Sequence, residues 1–286
     1  MLTLLLSMFI FGSVGVVRRL IPLPSAVLAC FRGACGALLL FLLAIVQRRK
    51  LRSGIGMGRT LLLLLSGALI GFNWILLFEA YRFTTVATAT LCYYMAPTVV
   101  VLLSPLIFRE RITLRKGLCA LVSVLGMVFF SGILEGGAPT LADLKGVLLA
   151  LGAAALYAAV VILNKKLPGI NAYAKTILQL LSAAVALVPY LLITRPAIDA
   201  AFTPGLVALL LLIGFMHTGV AYALYFGSID RLRAQTVAIF SYLDPITALV
   251  LSALVLHEPM TALGLIGAVL IIGAAIVGEI SPPSEG

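Results

Sequence analysis

Ten long apolar runs follow one another along the chain, at 2–17, 26–46, 60–81, 86–107, 116–134, 145–164, 175–194, 205–226, 234–256 and 262–278. Short clusters of Arg, Lys, Pro and Gly part them. About 20 apolar residues wound as a helix cross a bilayer core of about 30 Å, and a helix satisfies its own backbone groups where no water can. The pattern predicts an all-α integral membrane protein with ten transmembrane helices. No polar stretch between runs exceeds about a dozen residues, which leaves no room for a separate extramembrane domain. The first run has no basic region before it and is followed by Arg18-Arg19 instead of small residues, so it reads as a retained helix and not as a cleaved signal peptide.

Composition agrees. The 286 residues are 63% hydrophobic and 10% charged, whereas soluble domains run near half apolar and a quarter charged. The net charge of +10 would suggest nucleic acid in a soluble protein; in this chain it lies in the loops. With the N-terminus in the cytoplasm, the inner loops carry Arg48, Arg49, Lys50, Arg52, Arg59, Arg109, Arg111, Arg115, Lys116, Lys165, Lys166, Lys175, Arg231 and Arg233. The outer loops carry only Arg18, Arg19, Arg82, Lys145 and Arg195. That bias predicts a plasma-membrane (inner-membrane) protein with both termini cytoplasmic. Cys30, Cys35, Cys92 and Cys119 sit inside apolar runs without metal-ligand spacing, so neither a metal nor another cofactor is expected.

The chain is duplicated. A shift of 148 residues lays 71–113 on 219–261 without a gap, with matches at Gly71/Gly219, Thr88/Thr236, Tyr94/Tyr242, Pro97/Pro245, Ser104/Ser252, Glu110/Glu258 and Thr113/Thr261. Each copy holds five runs, an odd number, so the second copy must enter the membrane from the opposite side. The expected organisation is two inverted five-helix repeats, 1–138 and 139–280, with a short cytoplasmic tail at 281–286. Inverted repeats are an architecture of secondary transporters, because two near-identical halves can exchange conformations.

Phe11-Gly12-Ser13 in the first run, Arg32 in the second, Arg109-Glu110-Arg111-Ile112-Thr113 with Gly117 and Gly126, and Leu243-Asp244-Pro245 with Glu258-Pro259 and Gly273 together resemble the drug/metabolite transporter superfamily, in its EamA-type branch. The resemblance covers essentially the whole chain. One departure is that the family usually places Gly before this Glu, where Arg109 and His257 stand. The resemblance implies a central cavity formed by helices one to four and six to nine, with the fifth and tenth packed at the periphery. It also implies an inner-membrane carrier, expected to export small metabolites such as amino acids, amines or drugs.

The polar residues inside the runs are the candidates for chemistry. Asp244 lies ten residues beyond Ala234, about 15 Å deep and near midplane, where an ionisable group is costly. Ser241, Ala248 and Ser252 share its helical face as a small, polar stripe that could line water. Pro245 removes a backbone bond at Ser241, which predicts a kink. The alternative role for Asp244 is a structural hydrogen bond. Arg32, about 9 Å from the outer end of its helix, could pair with Glu79, about 3 Å from the outer end of the next, as an ion pair or gate; binding a substrate carboxylate is the other reading. His217 falls near midplane, either as a neutral imidazole bonded between helices or as a proton relay with Asp244. Asn73, Trp74, Tyr94, Tyr157, Tyr222 and Tyr242 are candidate cavity walls. Glu110 and Glu258 stand before Thr113 and Thr261, which can cap the fifth and tenth helices.

These residues predict a carrier for a small cationic or zwitterionic metabolite working by alternating access, open to proton coupling, and a monomer or homodimer in lipid. A sugar-phosphate or nucleotide-sugar exchanger would need more interior cations than one arginine. A membrane-embedded lipid enzyme lacks material, because the two histidines, His217 and His257, find no acid–base partner beyond the loop pair His257-Glu258. A non-transporting helper or receptor would have no need of a polar midplane.

Overall fold

The computed structural model describes residues 1–48, 56–108, 112–130, 140–229, 232 and 234–280. Glu110, with basic loop residues such as Arg109 and Arg231, lies outside this set. The described residues hold helices and no strand. They are α1 (Leu2–Gly12), α2 (Val14–Arg19), α3 (Ser25–Val46), α4 (Met57–Phe83), α5 (Val86–Tyr93), α6 (Ala96–Phe108), α7 (Leu114–Phe130), α8 (Leu141–Lys165), α9 (Ala172–Thr194), α10 (Pro204–Leu211), a π-helical segment Leu212–Val220, α11 (Ala221–Ile229), α12 (Ala234–Ser241), α13 (Leu243–Val255) and α14 (Ala262–Ile280). Seven helical stretches are long and apolar enough to cross a membrane, and Leu243–Val255 and Ala262–Gly278 are shorter apolar helices. The outward faces are greasy: Ile193, Leu148 and Val269 stand exposed, as suits contact with lipid and not water.

Three runs break in mid-course, and the sequence says why. α5 gives way to α6 at Tyr94-Met95, and α12 to α13 at Tyr242. These are repeat-related positions, each three residues before a proline, Pro97 and Pro245, whose missing N–H frees a carbonyl one turn earlier. The kink expected from Pro245 is therefore present, and Pro97 makes its counterpart. α1 stops at Gly12, and Ser13 turns its hydroxyl back onto the Ile10 carbonyl (2.8 Å).

The helices pack across the two halves more than within them. α4 lies on α8 and α9, α3 on α9 and the π-helical segment, α1 on α11 and α13, α5 on α13, and α7 on α14. Several of these contacts answer one another under the 148-residue shift: α4 against α9 answers to the π-helical segment against α3, and α4 against α8 to α11 against α1. Glycine sets the closeness. A Cβ on Gly67 would stand 2.6 Å from the Ser182 Cβ, and one on Gly36 3.0 Å from the Thr218 Cβ. Small residues let helices approach where lipid offers no hydrophobic drive. α7 and α14 form a peripheral pair, joined at Gly126 and Gly267.

Candidate functional site

The site begins where the proline breaks the ninth run. Asp244 sits in the first turn of α13, just past Tyr242. The Tyr94 hydroxyl, at the matching break between α5 and α6, lies near the Asp244 carboxylate. The two breaks thus meet. Asp244, Tyr93, Tyr94 and Tyr222 are surrounded by protein, yet each keeps accessible surface, so they face an internal space. Aromatic contacts wall it. Tyr93 meets Tyr94 at 6.1 Å and Tyr157 at 5.5 Å, and Tyr222 meets Phe11 at 5.1 Å and Phe226 at 5.9 Å.

Arg32 enters the same region from α3. Its guanidinium lies 4.3 Å over the Trp74 ring and 5.7 Å from Phe78, its Nε donates to Thr218 Oγ1 at 2.7 Å, and its Nη2 reaches the His217 carbonyl at 3.5 Å. Arg32 and Asp244 interact electrostatically, but neither belongs to an ion pair within 4.0 Å; those among the described residues are Arg19–Glu258 and Arg82–Glu79. The repeat counterpart of Arg32, Gln179, makes the related contact: its Nε2 donates to Ser66 Oγ of α4 at 2.7 Å.

The π-helical segment presents Thr218 and His217. Widening to five-residue hydrogen bonds turns the Thr218 hydroxyl onto the Ile213 carbonyl (3.2 Å) and His217 Nδ1 onto the Leu212 carbonyl (3.1 Å). His217 Nε2 then meets Ser13 Oγ at 2.9 Å, at the α1 break. His217 is thus bonded between helices, and its ring contacts are Ser13 and Leu212, not Asp244.

Several expectations need correction. Arg32 and Glu79 do not pair. Glu79 lies level with Ser25, the first residue of α3, and accepts from its hydroxyl (2.7 Å) and from Arg82 Nη1 (2.9 Å). Arg32 is seven residues deeper, about 10 Å along the helix, so neighbouring helices placed the two side chains at different depths. Of the Ser241, Ala248 and Ser252 stripe, Ala248 and Ser252 do not line the space. Ala248 and Ser252 are buried, Ser252 donates to Glu258, and α1 lies against this part of α13, where a Cβ on Gly12 would stand 2.6 Å from the Thr247 Cβ. Asn73 lies between α4 and α8, its Nδ2 donating to the Ala153 carbonyl at 2.5 Å, and Tyr242 is buried at its break. Asp244, Tyr94, Tyr222, Trp74, Arg32 and, through Tyr93, Tyr157 are brought together.

Sequence reasoning passed over Tyr93 and Thr218, although adjacency to Tyr94 and to His217 was a usable signal, and it took Ser13 only as part of the Phe11-Gly12-Ser13 resemblance. It also read Glu258 only with the last helix. Glu258 instead accepts the Val86 and Ala87 backbone N–H groups that open α5, and meets Arg19 at 3.6 Å. Beyond that contact lies a separate open cavity of about 1020 Å³, lined by Arg18, Arg19, Arg82, Tyr81 and Asp199, which does not include Asp244 or Arg32.

Comparison with known proteins gives a consistent picture. The sequence model of the EamA-like transporter family matches residues 1–132 and 144–278. A Bacillus subtilis protein named "Uncharacterized transporter YxxF" is 30% identical over 250 residues, covering 87% of this chain and 79% of that one. "Protein PecM" of Dickeya dadantii is 26% identical over 221 residues, 74% of this chain and 71% of that one. A crystal structure with 17% sequence identity superposes with a TM-score of 0.67 over 96% of this chain and 94% of the other, which speaks to fold alone.

Proposed function

Since the chain belongs to the EamA-like transporter family, we propose that it is a secondary-active carrier that exports a small cationic or zwitterionic metabolite, an amino acid or organic amine, across the inner membrane. In this reading ten spans form two inverted five-helix halves, both termini face the cytoplasm, and the halves exchange conformations to give alternating access. The observation that carries it is the interior space holding Asp244 and Arg32 out of contact with one another, walled by Tyr94, Tyr222 and Trp74. Opposite charges held apart in a bilayer are costly, which favours a role in ligand binding over one in the scaffold. The reciprocal packing of the halves and the loop-charge bias support the inverted topology.

The test is counterflow. Purified protein in liposomes preloaded with an unlabelled amino acid or amine is expected to accumulate the labelled compound saturably, and Asp244→Asn is expected to abolish the accumulation. Accumulation of sugar phosphates with none of amino acids or amines would replace this reading with the exchanger.

A further inference from the structure

We infer that the open cavity beside Arg18 is a lipid site for the headgroup of a phosphatidylethanolamine, with the arginines binding its phosphate and Asp199 its ammonium. The inference goes beyond the carrier reading and does not rest on it.

Three guanidinium groups reach this cavity from two helix ends, Arg18 and Arg19 from α2 and Arg82 from α4. Arg18 is 3% exposed. Its Nη groups donate to the carbonyls of Ile21 (2.7 Å) and Leu23 (3.2 Å) and to Ser25 Oγ (3.0 Å), which fixes the side chain without neutralising it. Among the described residues no carboxylate lies within 4.0 Å of Arg18. Arg19 donates to the Tyr81 carbonyl and faces Glu258 at 3.6 Å. Arg82 gives its Nη1 to Glu79 at 2.9 Å, while its Nε and Nη2 donate to no protein atom among the described residues. Arg18 feels the charge of both other arginines. Like charges gathered at the end of a membrane span call for an anion, and planar guanidinium groups with open N–H edges suit the oxygens of a phosphate.

Charge balance narrows the headgroup. Glu258 offsets Arg19 and Glu79 offsets Arg82, so among the described residues the lining keeps one unmatched cation, Arg18, and one unmatched anion, Asp199. They stand on different walls. Asp199 belongs to the 196–203 segment between α9 and α10, is exposed, and has no arginine within 4.0 Å. A phosphodiester alone would meet the arginines and leave Asp199 bare. An ethanolamine headgroup carries its ammonium two carbons beyond the phosphate and meets both walls.

The remaining lining fits the rest of a lipid. Leu20, Ile21, Leu23, Leu206 and Leu209 share the cavity with the arginines, and Leu209 lies about 7.5 Å along α10 from Pro204, so an apolar wall leads away from the charged end. Ile198 and Phe202, in the segment that carries Asp199, are 46% and 63% exposed, a placement suited to lipid and not to water. The volume of about 1020 Å³ stands at the upper end for a drug-sized ligand, far beyond what a lone phosphate fills.

The full chain, stripped of lipid in detergent, is titrated with dioleoyl-phosphatidylethanolamine, dioleoyl-phosphatidylglycerol, dioleoylglycerol and the soluble headgroup glycerophosphoethanolamine. Bound molecules are counted by native mass spectrometry, and the unfolding midpoint is followed in parallel, since a ligand of the folded state raises it. One phosphatidylethanolamine is expected to bind about 10-fold more tightly than phosphatidylglycerol, the low end of a charge-assisted hydrogen bond, and dioleoylglycerol more weakly than either. Asp199→Asn is expected to remove the preference for ethanolamine, and Arg82→Gln to weaken both phospholipids about 10-fold. Both variants alter exposed side chains, and the midpoint without lipid verifies that each folds. Equal affinity for the two phospholipids in the unaltered protein overturns the inference, as does dioleoylglycerol binding as tightly as they do, or either variant without its effect. Glycerophosphoethanolamine binding as tightly as the lipid would make the occupant a soluble phosphodiester and overturn the lipid site.

Discussion

The carboxylate of Glu258 accepts the backbone N–H of Val86 through both oxygens, at 3.0 and 2.9 Å, across 172 residues of sequence. A helix begins with N–H groups that have no partner within the helix, and they form the positive end of its dipole. For α5 the partner comes from the loop between α13 and α14, in the other half of the chain. Ser252 donates to the same carboxylate and Arg19 faces it at 3.6 Å, so the ends of α2, α5 and α13 meet at one side chain. The cap of α14 falls to Thr261 alone, whose hydroxyl accepts from the Gly264 N–H at 3.0 Å.

Glu258→Gln keeps the shape of that side chain and removes its charge. The expected effect is a loss of about 1–2 kcal/mol of stability, the range of a helix N-cap, seen as a lower unfolding midpoint in detergent. An unchanged midpoint would mean that the contact contributes nothing net.

Gly12 is where α1 touches the backbone of α13 beside Asp244. A Cβ there overlaps the Asp244 carbonyl and stands 2.6 Å from the Thr247 Cβ, neither of which can rotate aside. Gly12→Val is expected to cost about 1–3 kcal/mol by overpacking and to displace Asp244, so ligand affinity should fall in protein that still folds. Normal affinity in a folded Gly12→Val protein would uncouple this crossing from the site.

Gly126→Leu offers the contrast. Its Cβ would stand 2.8 Å from the Gly267 carbonyl and 2.9 Å from the Leu270 Cβ, at the α7–α14 seam. Stability should drop by a similar amount, about 1–3 kcal/mol, while ligand affinity in the surviving protein stays unchanged, because this pair lies apart from Asp244. A loss of affinity matching that of Gly12→Val would show that the peripheral pair shapes the site.

Periodicity and composition made the helices legible, and Pro245 made its kink legible, because these depend on local rules. Depth and facing did not follow from them. Arg32 and Glu79 were matched by distance from helix ends, but α3 and α4 are staggered, and Ser25 and Arg82 claim Glu79 first. The face of Asp244 was projected as one regular helix, whereas the break at Tyr242 restarts the helix and leaves Ala248 and Ser252 against other chain segments. The π-helical segment has no signature in apolar periodicity, so Thr218 went unnoticed beside His217.

Orientation is open to direct measurement. A cysteine replacing Ala197, at the rim of the Arg18 cavity, is expected to react with an impermeant thiol reagent from outside, while one replacing Gly58 should react only after the membrane is opened. Five runs separate the two positions, so labelling of both from one side would break the inverted arrangement.

The reciprocal packing also governs how the protein can be made. Gly33, Gly67 and Gly71 on α3 and α4 find their partners on α9, a helix translated well over a hundred residues later, and α1 waits for α11 and α13. The first half therefore leaves the ribosome before its main packing partners exist. Residues 1–138 produced alone are expected to be degraded and to be rescued when 139–286 are co-expressed; a stable, well-behaved first half would contradict this. Assembly in the membrane is then a late, single event, closer to the docking of two unfinished subunits than to the helix-by-helix accretion of a bundle.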